Sequence, residues 1–142
     1  MNRYLNRIRP HRIPLVASMI LTMLVGCSTE QRFLLDSDLP VPEDSVARVT
    51  SDVERKAGEL VRVNSVFATT VDDPSRRLEG IERVFEFNGW RSSGTTATQS
   101  TAACVFTKPG RRCQVRVVRN EIDPDMSRIS YHLVPSDAAS DG

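Results

Sequence analysis

Ala103-Cys104-Val105-Phe106-Thr107-Lys108-Pro109-Gly110-Arg111-Arg112-Cys113-Gln114-Val115 reads as two β-strands folded back around a Pro-Gly turn. Two registers are open. A four-residue loop, Thr107 to Gly110, sets Cys104 directly opposite Cys113; a two-residue Pro-Gly loop offsets them by one diagonal step and keeps them on one face. The strands span Ala102–Thr107 and Arg112–Arg119, and a third, Arg128–Val134, follows a turn at Asp123-Pro124-Asp125. Cys113, Val115 and Val117 share one face of the second strand; Ile129, Tyr131 and Leu133 share one face of the third. An antiparallel meander is therefore the scaffold.

Upstream of the meander, Asp72-Asp73-Pro74 is a helix start, with Asp73 as N-cap and Pro74 at the first helical position. Leu78, Ile81, Val84 and Phe85 form the apolar stripe, Asn88-Gly89 the left-handed stop, and Trp90 packs where this helix meets the sheet. Arg83 to Asn88 can also be read as a strand, but the caps favour the helix. Val46, Val49, Val53, Ala57 and Leu60 recur at helical spacing, predicting a helix over 43–58 ended by Gly58, then a β-branched strand over 61–71. Residues 91–101, rich in Ser, Thr and Gly, read as a mobile loop or a poorly packed edge strand. The expected class is α+β: two layers, one antiparallel sheet of about four strands with two amphipathic helices on one face.

The N-terminus carries an address. Arg3, Arg7, Arg9 and Arg12 occur with no acid, and Ile13 to Gly26 follow as 14 residues without an ionisable group. A hydrocarbon core of roughly 30 Å needs about 20 helical residues, so this run is short for a permanent span and fits a signal peptide. Its end, Leu24-Val25-Gly26-Cys27, resembles the lipobox of bacterial lipoproteins. The resemblance covers about the first 28 residues. It implies cleavage between Gly26 and Cys27, diacylglycerol on the Cys27 thiol and acylation of the new amino terminus. Ser28, in place of the Asp that retains such proteins at the inner membrane, implies delivery to the periplasmic face of the outer membrane. Two or more acyl chains hold stably, at about 0.8 kcal/mol per buried methylene.

The expected organisation is a signal peptide at 1–26, a lipid-anchored linker at 27–42, a domain at 43–135 and a disordered acidic tail at 136–142. Within the linker, Phe33, Leu34 and Leu35 are the exception, able to dock on the domain or on the bilayer interface. Four of the 19 basic residues fall in the signal, leaving fifteen against 18 acids, a formal −3. No nucleic-acid signature survives. Cys104 and Cys113, an even pair in an exported domain, read as a disulfide contributing roughly 2.5 kcal/mol by loop-closure entropy. The diagonal register would need strain or a bulge.

No catalytic set or resident cofactor is legible. His132, the one histidine of the mature chain, alternates with Tyr131 onto the face away from the helices. Glu121, Asp123 and Asp125 lack the glycine and ligand spacing of a calcium loop, so turn chemistry around Pro124 explains them. Ser92-Ser93-Gly94 lacks the framing of a nucleophile elbow. A metal site from Cys104, Cys113 and His132 is disfavoured by the oxidising compartment. What remains is a basic surface, Arg111, Arg112 and Arg116 with Arg119 and Arg128 nearby; its bland reading is a solvated sheet face balanced by nearby acids. The expectation is a non-enzymatic envelope lipoprotein that binds another envelope protein as an accessory or scaffold. The alternative is a module for an anionic lipid, lipopolysaccharide or cell-wall fragment, held by the arginine face.

Overall fold

Ala57 and Gly58 both hold positive φ, 51° and 82°, and join Lys56 directly to Glu59 across a two-residue hairpin turn. That turn overturns the expected first helix. The computed structural model describes residues 30–136. The expected signal, the cleavage site at Gly26 and Cys27, Ser28 and all of the tail beyond Ser136 lie outside the described residues.

The elements are β1 (Val46–Lys56), β2 (Glu59–Thr69), α1 (Pro74–Phe87), β3 (Arg91–Ala97), β4 (Thr101–Lys108), β5 (Arg111–Val118) and β6 (Ser127–Pro135). All strands pair antiparallel in one sheet of order β1-β2-β6-β5-β4-β3. The expectation of about four strands and two helices is thus corrected to six strands and one α-helix among the described residues. The segment expected as a helix over 43–58 supplies β1 instead. Its apolar spacing imitates a helix because the strand is bulged. Val46 stands opposite Ala68 and Val49 opposite Val66, with Arg48 as the extra residue between them. One inserted residue turns a two-residue period into a three-residue step, so Val46 and Val49 share a face. A second irregularity, between Ser51 and Glu54, contains Asp52 at φ 54°.

The helix is built as its caps indicate. Asp73 Oδ1 accepts from the backbone N–H of Ser75 at 2.9 Å and of Arg76 at 3.2 Å, and Pro74 opens the first turn. Leu78, Ile81 and Phe85 are buried, and α1 lies across β3, β4 and β5. Residues 91–97 adopt the edge-strand alternative, irregular where Gly94 takes φ 65°.

The other half of that sheet face is closed by residues 30–42, expected to be a tether. Leu34 and Leu39 are buried in the core, and the chain folds on itself through Leu34 N–H to Leu39 O at 2.8 Å. Trp90 Nε1 donates to Asp38 O at 3.3 Å and Tyr131 Oη to Pro40 O at 3.0 Å. The buried Leu34 and Leu39, the latter between the indole-anchored carbonyl of Asp38 and the phenol-anchored carbonyl of Pro40, make this stretch a strap of the folded unit rather than a spacer. Phe85 centres the core, stacked on Phe106 at 4.2 Å and edge-on to Trp90 and Tyr131 at 5.8 and 5.5 Å.

Candidate functional site: an open sheet face

The strap and α1 cover one side of the sheet, and among the described residues nothing covers the other. Alternation along β5 sends Arg111, Cys113, Val115 and Val117 inward and Arg112, Gln114 and Arg116 outward. The register then fixes their neighbours. Arg112 pairs with Thr107 and Val134, Gln114 with Val105 and His132, and Arg116 with Ala103 and Ser130. Arg128 stands opposite Val118, one diagonal step from Arg116, and Arg91 stands opposite Thr107. Arg112 and Arg116, four residues apart on one strand, are separated by about 13 Å.

Charge on this face is unbalanced. Arg62 is paired with Glu54 at 3.1 Å. Among the described residues Arg91, Arg112, Arg116 and Arg128 have no carboxylate within salt-bridge distance, and all four are exposed. Toward β1 the face turns apolar through Val66, Ala68, Val49 and Val46, the last two 57% and 60% exposed. His132 sits between these halves, exposed, with Nδ1–H donating to Asn64 Oδ1, whose amide donates in turn to Asp52 Oδ2. It lies on the outer face of β6, linked through Asn64 to the Asp52 carboxylate of β1.

Arg111, expected on the basic surface with Arg112 and Arg116, is corrected: it is 3% exposed and points into the covered layer. Its Nη1 and Nη2 donate to Asp38 Oδ1 and Oδ2, each at 2.8 Å, a bidentate pair. Nη2 also meets Glu59 Oε1 at 2.7 Å, Nη1 meets Leu60 O at 3.1 Å, and the guanidinium carbon lies 5.0 Å from the Trp90 ring centre. Lys108 Nζ completes the knot, 2.6 Å from Asp38 Oδ2 and 2.8 Å from Asn88 O. Burial pushes the Asp38 carboxyl up, but hydrogen bonds and charge from Arg111 and Lys108 outweigh it and hold the carboxyl below its ordinary value. This knot clamps the strap to the β4–β5 turn. The bidentate pair spans 73 residues of sequence, so no local pattern marks it.

Cys104 and Cys113 are free thiols. Lys108 pairs with Arg111, so the loop is the two-residue Pro109-Gly110 form, and Cys104 faces Val115 while Cys113 faces Phe106. Diagonal neighbours stand about 7 Å apart, against a Cβ···Cβ of about 4 Å in a disulfide, which is why the expected bridge is not formed here. Burial pushes both thiols above their ordinary value, Cys113 furthest, so little thiolate exists near neutrality. A maleimide should accordingly leave the native full chain unlabelled at both positions over minutes and label both after urea. Rapid native labelling at Cys113 would contradict its burial.

The remaining candidates do turn and cap work. Asp123 Oδ1 accepts from Asp125 N–H at 3.1 Å in the Pro124 turn, and Asp125 Oδ1 accepts from Thr70 Oγ1 at 2.9 Å. Ser92 Oγ donates to Glu86 Oε1 at 2.7 Å. Among the described residues no group of three or more His, Cys, Asp or Glu is placed to hold a metal, and no helix is long and apolar enough to cross a membrane. Compared with protein-family models, curated proteins and solved structures, the chain matches none.

Proposed function

We propose that this chain is a non-enzymatic, lipid-anchored binding module of the bacterial envelope. In this reading Cys27 carries the diacylglycerol and N-acyl chains, and Ser28 directs the protein to the periplasmic face of the outer membrane. The open sheet face docks an acidic surface of another envelope protein. The resemblance of Leu24-Val25-Gly26-Cys27 to a lipobox supports the anchor. The single observation that carries the docking is the sheet face that the described residues leave uncovered, with four exposed arginines unpaired among those residues beside an apolar flank.

Size favours a protein partner over a small ligand. Six strands about 4.8 Å apart and roughly 27 Å long present on the order of 650 Å², near the roughly 800 Å² per partner of a standard interface. Arginine suits both the bidentate carboxylate contact and the partly desolvated interface. Strap and core lie on the opposite side, so recognition need not disturb the fold. An anionic lipid or cell-wall polymer on the same arginines is the second reading.

The Arg112→Glu/Arg116→Glu/Arg128→Glu variant tests the face. All three side chains are exposed, so its unfolding midpoint should stay close to that of the parent. Retrieval of the envelope partner by the anchored protein should fall at least tenfold, and the parent's retrieval should weaken as salt shortens the screening length. Undiminished retrieval by the variant would overturn the proposal. Loss of binding to lipopolysaccharide vesicles with protein retrieval intact would move the site to the second reading.

A further inference from the structure

On the covered side of the sheet, α1 and the strap do not close completely. Between them lies a cleft of about 510 Å³, walled by α1, strap residues 40–43 and the loop 70–73. That volume is within the range of small-molecule sites. Its apolar lining includes Val41, Val71, Ile81, Val84 and Tyr131. The helix wall carries a distinct pattern: Arg76, Gly80 and Arg83, at i, i+4 and i+7, lie on one stripe. The two arginines are about 10 Å apart along the axis, and the glycine between them leaves a notch.

Packing does not demand that glycine. A Cβ at position 80 would meet nothing closer than an Arg83 Nη2 at 4.0 Å, and its backbone is helical, so alanine fits. Glycine costs a helix interior stability; here it keeps the notch open. Arg76 and Arg83 are exposed, and neither has a carboxylate within salt-bridge distance among the described residues. Of the acids that line the cleft, Asp73 spends its carboxylate on the helix cap, while Asp72 and Glu43 belong to the loop and the strap rather than to the stripe. Arg77, beside the stripe, is held by Glu43 O and Thr69 Oγ1.

We propose that this cleft binds a single-chain acyl amphiphile with a carboxylate or phosphate head, the head in the Gly80 notch between Arg76 and Arg83 and the chain along Ile81, Val84 and Tyr131. Two guanidiniums flanking an unfilled notch supply hydrogen-bond donors for an anion. The apolar floor supplies the burial that a bare anion would not use. This site is separate from the arginine face of the open side and does not depend on it.

Calorimetry on the full chain in lipid nanodiscs, with empty discs subtracted, tests the site using dodecanoate, dodecyl phosphate, dodecanol and inorganic phosphate. One of the two anionic amphiphiles should bind with unit stoichiometry, at least tenfold tighter than dodecanol or phosphate. The tighter of the two identifies the head. Gly80→Phe, which fills the notch, should abolish binding. Arg83→Glu, an exposed change that leaves the fold intact, should weaken it at least tenfold. Equal affinity for dodecanol, or unchanged binding in Arg83→Glu, would overturn the proposal.

Discussion

Asp38→Ala should lower the unfolding free energy by about 3 kcal/mol, because removing one partner of a buried ion pair strands the other charge. Arg111 is 3% exposed and takes two hydrogen bonds to Asp38, so the stranded group is deep in the fold. Glu59 remains at 2.7 Å but is itself exposed, which places the effect at the lower end of the usual range for such losses. Arg111→Met should cost less, since it removes the buried charge and leaves Asp38 with Lys108. Urea unfolding of both single variants and the double variant checks this through the coupling energy. A cost below about 0.5 kcal/mol for Asp38→Ala, the size of a surface change, would mean that the strap is not clamped.

The same carboxylate gives the pH dependence its sign. Its folded value lies below the unfolded 3.8, so folding favours the charged form. The stabilisation is complete above the unfolded value and is lost as pH falls through the lower native one. Asp38→Asn should therefore flatten the acid limb of the stability profile and leave its shape above pH 5 unchanged.

Phe85→Ala should cost about 4 kcal/mol, the range for deleting a fully enclosed aromatic. Its ring touches Phe106, Trp90 and Tyr131, which come from β4, the helix exit and β6. The Trp90 and Tyr131 rings are themselves pinned by hydrogen bonds to Asp38 O and Pro40 O, so the site cannot easily collapse to fill the void. Phe85→Leu, which keeps most of the volume, should cost less than half as much by the same urea measurement. Equal costs for the two variants would mean that loss of the ring contacts, rather than the void, sets the cost.

Much of the right-hand half of the sheet was legible. Alternation from Cys113 to Val117 and from Ile129 to Leu133 sets the inner face, and Asp73-Pro74 with Asn88-Gly89 brackets α1. The same alternation places Arg111 with Cys113 on the inner face, and only its charge suggested the surface. The left-hand half was not legible, for two physical reasons. Bulges in β1 give its valines a helical step, and Ala57-Gly58 carries a hairpin turn where a glycine also ends helices. The strap was hidden because what fixes it lies far along the chain. Leu39 is buried only because Trp90 and Tyr131 arrive to hold the carbonyls of Asp38 and Pro40. The cleft beside the Arg76-Gly80-Arg83 stripe exists only once that strap is in place.

The docking face is tested most directly by site-specific photo-crosslinking in the intact envelope. One crosslinker replaces Gln114, at the centre of the bare face, and a control replaces Glu79, exposed on the helix. A protein adduct of one mass is expected from position 114, lost in the Arg112→Glu/Arg116→Glu/Arg128→Glu background, and none from position 79. A protein adduct from position 79 with none from position 114 would contradict docking through the sheet face.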